Sequence, residues 1–206
     1  MSEQAQRVDV VPERRRQRLS AAQRRAALIE AAAIEFATGG LHGTPVARIA
    51  RRVGVAQPYV FSLFASKLEL FLAAIAYGFD RVAELFSLAA GEFEAGRAGP
   101  ECEDALATMG MAYKRMLEEN RVYLMLQLQS YAACDEAAVR TLVRSRYAGL
   151  VALVQELSGA DEERVDEFFR HGMALNVAAA MGVEDIAAGC EWVQAELRAS
   201  AQAARS

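Results

Sequence analysis

The sequence predicts an all-α fold of about nine helices, and three observations carry that expectation. Apolar residues recur three and four positions apart through most of the chain beyond Ser20. No segment alternates apolar and polar residues with the period of two that a half-buried strand requires. Glycine, proline and threonine cut the pattern into helix-sized lengths. With 206 residues, 53% hydrophobic, 24% charged and only four prolines, the chain can bury a core and is not a disordered polymer. The expected division is a basic disordered arm over 1–18, a small three-helix unit over 19–66 and a larger helical domain over 67–206.

Residues 1–18 carry Arg7, Arg14, Arg15, Arg16 and Arg18 without hydrophobic periodicity, hence the arm. Ser20 is a helix N-cap for a segment in which Leu28, Ile29, Ala32, Ala33 and Phe36 recur at helical spacing, and Gly39-Gly40 is its stop. Thr44-Pro45 starts a second helix, since a threonine side chain can satisfy free backbone donors and proline is harmless in a first turn. Val46, Ile49, Ala50 and Val53 form its apolar face, and Gly54 ends it after barely two turns. Val55, Val60, Leu63 and Phe64 belong to a third short helix, with Pro58 confined to its first turn. Ser66-Lys67 opens a long fourth helix that carries Leu70, Phe71, Ala74, Ile75, Phe79, Val82, Leu85, Phe86 and Ala89 and ends near Gly91. Gly91, Gly96, Gly99 and Pro100 form a linker, and helical patterns then run over 101–118, 121–133, 135–158, 162–182 and 184–199.

Several classes of function find no support. No apolar stretch reaches the ~18–20 uncharged residues of a membrane span, and no signal-peptide core follows the arginines, so a cytoplasmic location is expected. Cys102, Cys134 and Cys190 stand apart without metal or redox spacing and read as reduced thiols, and two histidines make a histidine-rich metal site impossible within one chain. No nucleophile with its base, phosphate-cradling loop or catalytic carboxylate pair can be singled out. An enzyme, a metal and a cofactor are therefore not expected.

The net charge of −4 conceals an asymmetry. Residues 1–67 hold 11 Lys/Arg against 5 Asp/Glu, a balance of +6, whereas residues 68–206 hold 12 against 22, a balance of −10. A phosphate-binding module on an acidic body produces such a pattern, because affinity for a nucleic-acid backbone is largely electrostatic.

The segment Thr44 to Phe64, TPVARIARRVGVAQPYVFSLF, has the spacing of a helix-turn-helix. Two short helices that cross steeply need a small residue at their contact, Ala50, a glycine at a positive-φ turn, Gly54, and apolar residues to lock them, here Ile49, Val53, Val55, Val60 and Leu63. From Arg24 to Phe86 the chain, with FATGG, TPVARIARRVGV, YVFSLF and SKLELF as landmarks, resembles the TetR family of bacterial repressors. The resemblance implies an N-terminal DNA-binding domain whose third helix enters the major groove of a palindromic operator, and a C-terminal domain for ligand binding and dimerisation.

Carried over residue by residue, the resemblance places Gln57, Pro58 and Tyr59 on the exposed leading turn of the reading helix, where Gln57 can pair with an adenine edge and Tyr59 can meet a thymine methyl or a phosphate. Thr44 and Lys67 stand at helix N-termini that contact phosphate. Arg48, Phe61 and Ser62 complete the DNA-facing set. Phe61 occupies the position of a frequent phosphate-binding tyrosine, Ser62-Leu63 replaces a common histidine pair, and Ala56 replaces a capping serine. Arg14, Arg15, Arg16 and Arg18 can supply the missing phosphate contacts from the arm.

A single short reading helix has little specificity, so a homodimer is expected, built from Phe168, Phe169, Gly172, Met173 and Ala180 on one helix and Ile186, Cys190, Val193 and Leu197 on the next. The effector pocket is expected around YLMLQLQSY, with Tyr113, Met116, Tyr123, Gln127, Tyr131, His171 and Asn176, and its ligand is expected to be an apolar or aromatic small molecule. Effector binding would tilt the fourth helix and release DNA. A protein-interaction adaptor that has lost DNA binding, and an activator of the same fold, are the alternatives.

Overall fold

The computed structural model describes residues 20–100 and 102–182, and all its regular elements there are α-helices. In order they are α1 (Ala21–Gly43), α2 (Val46–Val53), α3 (Gln57–Leu63), α4 (Lys67–Glu94), α5 (Ala105–Glu119), α6 (Arg121–Ala132), α7 (Ala137–Ser158) and α8 (Glu162–Ala180). The arm over 1–18 and the ninth helix expected over 184–199 lie outside the described residues.

Ser20 caps α1 reciprocally: its hydroxyl accepts from the Gln23 amide at 3.2 Å, and the Gln23 side chain accepts from the Ser20 amide at 2.8 Å. Two of the donors that a helix start leaves without partners are thereby satisfied. The expected stop at Gly39-Gly40 is only a break. Gly40 leaves helical geometry (φ 61°, ψ −172°), and the chain resumes for one turn to Gly43. Thr44 does not cap α2, because its hydroxyl points inward and donates to the Glu35 carbonyl at 3.1 Å, and Pro45 takes the capping position. Gly54 closes α2 in the left-handed region (φ 73°, ψ 33°) and gives its N–H to the Ala50 and Arg51 carbonyls, a geometry that costs glycine nothing.

The fourth helix runs past its expected end near Gly91 to Glu94. One interior glycine costs a helix only ~1 kcal/mol, and Phe93, packed against the core, outweighs it. In contrast, α5 starts later than the expected 101, at Ala105, where the Asp104 carboxylate accepts from the Ala107 amide at 2.8 Å.

One buried apolar cluster extends from Leu28 in α1 to Ala179 in α8. Helix α1 packs most extensively against α6 and α4 and less against α2, so the first helix of the small unit is also the floor of the larger one. The Phe36 and Phe71 rings meet edge to face with centroids 4.8 Å apart and join α1 to α4. At Gly40, an added Cβ would meet the far end of the flexible Gln129 side chain of α6, so it is the left-handed backbone (φ 61°) that favours glycine there. Among the described residues, no single helix is long and apolar enough to cross a membrane.

Candidate nucleic-acid interface and internal cavity

Val60 and Phe64 are each 1% exposed and fix α3 to its neighbours. Their burial turns the opposite side of the helix outward, and Gln57, Pro58, Phe61 and Ser62 are exposed at the i, i+1, i+4, i+5 spacing of one helical face. Phe61 is 44% exposed and adds an apolar ring to this face. Tyr59 departs from the expected outward-facing set. It is half-buried and turned towards α1, where its hydroxyl accepts from the Arg24 guanidinium at 3.4 Å and the guanidinium carbon lies 5.7 Å from the ring centroid. Ser62 donates its hydroxyl to the Tyr59 carbonyl at 2.7 Å. Sequence reasoning missed Arg24 and Arg25, the latter 4.5 Å over the Phe64 ring; their helical spacing gave no hint of partners 35 or more residues away.

The remaining DNA-facing expectations divide. Arg48 projects from α2, but its guanidinium is paired with Glu35 at 2.9 Å, and Arg52 holds the other oxygen of that carboxylate at 2.8 Å. Glu35 is 6% exposed, and a buried carboxylate needs cations, which commits Arg48 to the fold. Thr44 is buried, so the expected phosphate contact from its hydroxyl is corrected: the group is spent on Glu35. Lys67 stands at the N-terminus of α4 as expected, and its amine reaches the His42 carbonyl at 3.1 Å; partial burial holds its pKa below the ordinary lysine value. That reach ties the last turn of α1 to the start of α4 through a half-buried cation. Arg14, Arg15, Arg16 and Arg18 lie outside the described residues.

The second feature is a cavity of about 630 Å³ enclosed by α4, α5, α6, α7 and α8, within the size range of small-molecule sites. Tyr113, Tyr123, Gln127, His171 and Asn176, of the residues expected around an effector, line it. Met116 and Tyr131 do not; both pack half-buried against the core, and the Tyr131 hydroxyl touches two lining residues, accepting from the Gln127 side-chain amide at 2.6 Å and donating to the Met173 sulfur at 3.9 Å. Four residues of the expected dimer surface also face the cavity. Phe168, Phe169, Gly172 and Met173 line the cavity, with the Phe168 ring 5.6 Å from Phe86 and the Phe169 ring 5.4 Å from Tyr147. Periodicity reveals an apolar stripe on α8 but not which neighbour covers it. Ala180 is half-buried at the end of α8, where Arg121 donates to the Ala179 and Ala180 carbonyls at 2.6 and 3.1 Å. Large apolar groups exposed on that end are Val177 and Met181. Ile186, Cys190, Val193 and Leu197 lie outside the described residues.

Inside the cavity the Tyr113 hydroxyl donates to the Asn176 side-chain oxygen at 2.7 Å. Burial pushes the Tyr113 and Tyr131 phenols up, against the opposing effect of their amide partners, and raises Tyr77 beside the cavity to about 12, so all three are neutral at pH 7. The charged lining residues Glu103, Asp104, Lys114, Arg164 and Glu167 sit at half-buried or exposed positions. Asp104 and Arg164 pair across the rim, and the Ala107 amide, with Arg164 second, holds the Asp104 carboxyl below its ordinary value.

Comparison with known proteins extends the picture. Residues 28–74 match the sequence model of bacterial regulatory proteins of the tetR family. The HTH-type transcriptional activator FasR of Mycolicibacterium smegmatis is 42% identical over 62 residues, which span 30% of this chain and only 28% of FasR. Three solved structures share the fold at lower identity. A TetR family member from Streptomyces coelicolor A3 superposes with a TM-score of 0.64 at 18% identity, over 80% of this chain and 91% of its own. A TetR-like regulator from Rhodococcus sp. RHA1 gives 0.56 at 23%, over 82% and 86%. The regulator FadR from Bacillus subtilis, solved in complex with stearoyl-CoA, gives 0.60 at 15%, over 78% and 89%.

Proposed function

We propose that this chain, whose residues 28–74 match the sequence model of the tetR family of bacterial regulatory proteins, is a dimeric DNA-binding regulator that reads a palindromic operator with α3 and is released from it by a small molecule held in the cavity. The observation that carries this reading is the exposed face of Gln57, Pro58, Phe61 and Ser62, presented by the Gly54 turn at the basic end of the chain. Gln57 offers the paired donor and acceptor that suit an adenine edge, and Phe61 offers an apolar ring for a thymine methyl. The Lys67 amine and the free amides at the start of α2 supply the phosphate contacts, with the arginine arm 14–18 as their extension.

Two struts connect the cavity with this face. Ile75, Phe79, Val82 and Phe86 of α4 form its wall, and the same helix ends in Lys67, tied to His42. Leu126, Gln127 and Ser130 of α6 form another wall, while Gln129 on the same helix fills the space beside Gly40. An effector that spreads the walls therefore shifts the Gly40–Pro45 corner from which α2 departs. A coupling of ~1–3 kcal/mol changes operator affinity about 5- to 150-fold.

The effector is an elongated, largely apolar molecule. From Arg164 to Asn176 the cavity follows α8 for 12 residues, roughly 18 Å. FadR, solved with stearoyl-CoA, holds a ligand with a long acyl chain in a similar fold, which supports this reading. The dimer surface is read as the exposed Val177 and Met181 at the end of α8, with Ile186, Cys190, Val193 and Leu197 of the following segment as the sequence suggests. Repression is the reading adopted for the regulatory sign. The likeness to FasR, named an activator, favours the opposite sign, and the position of the operator relative to the promoter distinguishes the two.

Sequencing of duplex fragments selected by the purified protein is expected to return an inverted repeat with half-site centres one helical turn, or a multiple of it, apart (~34–36 Å per turn). Recovery of unselected sequence only would leave an interaction adaptor as the better reading.

A further inference from the structure

The buried polar groups of the cavity carry information about its ligand that the apolar lining does not. Tyr113 and Asn176 are 7% and 1% exposed, and both line the cavity. They come from α5 and α8 and meet Gln127 of α6. The Tyr113 hydroxyl has one proton and faces two acceptors, Asn176 Oδ1 at 2.7 Å and Gln127 Oε1 at 3.3 Å. The shorter contact takes the proton. Gln127 gives its amide to Tyr131 at 2.6 Å, so its oxygen retains acceptor capacity. Among the described residues, the Asn176 side chain is bonded to Tyr113 alone, through its oxygen, and its NH₂ group retains donor capacity. The fully buried lining residues around this acceptor and donor are neutral and, apart from Tyr113, Asn176 and Ser130, whose hydroxyl is given to the Gln127 carbonyl, apolar.

From this arrangement we infer that the effector carries a neutral hydroxyl group that donates to Gln127 Oε1 and accepts from Asn176 Nδ2. The inference rests on the reading of the cavity as an effector site and specifies the ligand class. A hydroxyl matches both groups, an ether or ketone can match only the Asn176 donor, and a carboxylate would bury a charge with no cation among the fully buried residues around it. The charged rim formed by Asp104, Arg164 and Glu167 remains available to a polar group at the other end of the molecule.

Nile red, a neutral solvatochromic dye, serves as the probe, displaced from the full-length protein by 1-decanol, by the near-isosteric methyl nonyl ether or by decanoate at pH 7. Decanol is expected to displace it about 5- to 10-fold more effectively than the ether, the worth of one neutral hydrogen bond, and decanoate least effectively. Gln127→Leu removes the acceptor, and alcohol and ether are expected to become equivalent within about twofold; the Tyr113→Phe/Asn176→Leu double variant replaces the pair by apolar groups of similar shape but keeps Gln127, and is expected to bind both more weakly while still preferring the alcohol. Thermal melts followed by circular dichroism identify the variants that keep the fold, and Gln127, half-buried, is the milder change. Equal displacement by alcohol, ether and carboxylate from the wild-type protein overturns the hydroxyl assignment and leaves the effector site standing. Absence of any displaceable dye overturns the effector site itself.

Discussion

Replacement of Gln57 and Phe61 together by alanine is expected to lower affinity for the selected palindrome by at least ~10³-fold while leaving the weaker binding to random duplex in place. Each good contact to a base is worth about 1–3 kcal/mol, and a symmetric complex loses it in both half-sites. Both side chains are exposed on α3, so the folded state should lose little stability, and a melting temperature close to that of the wild type separates lost recognition from lost fold. Fluorescence anisotropy on palindromic and scrambled duplexes measures both affinities. Equal weakening on the two duplexes would show that these residues hold phosphate rather than bases.

Phe71→Ala is expected to be the most destabilising of the simple truncations, by about 3–5 kcal/mol. Phe71 is fully buried and its ring meets Phe36 edge to face, so truncation removes apolar burial, leaves a cavity and breaks an aromatic pair that ties α1 to α4. Against a typical total of ~5–15 kcal/mol the loss is large enough to move the urea midpoint markedly. Leu88→Ala is the control: the side chain is 69% exposed on the same helix, and its removal should cost less than about 0.5 kcal/mol. A similar midpoint for both variants would mean that the small helical unit does not depend on α4 for its stability.

The all-helical architecture and the turn at Gly54 were legible in the sequence because both are written in local signals, the spacing of apolar residues and a glycine where a left-handed backbone is needed. Ser20 was recognised as a cap for the same reason, whereas Asp104 was overlooked because helical periodicity resumed ahead of it at 101. Partners distant in sequence were not legible. Thr44 had the chemistry of a cap and lies against Glu35 instead, and Arg48 had the charge of a phosphate contact but balances a buried carboxylate nine-tenths hidden from water. Phe168 and Phe169 show the limit most clearly. Their apolar character predicted burial, but only the fold decides whether a second protomer or a cavity wall covers them. Polar residues among apolar ones at Tyr113, Gln127 and Asn176 were the better clue to the cavity, since a buried polar group must find a partner wherever it lies.

Anisotropy of the selected palindrome and a scrambled duplex, titrated with the full-length protein across a salt series from 50 to 200 mM, tests the central claim most directly. A dimer that sets α3 in successive major grooves and holds several phosphates should lose roughly 10³–10⁵ in affinity over that range and should prefer the palindrome at every salt concentration. Binding that is indifferent to salt, or equal on the two duplexes throughout, would contradict the assignment of the α2–α3 unit as a DNA-reading device.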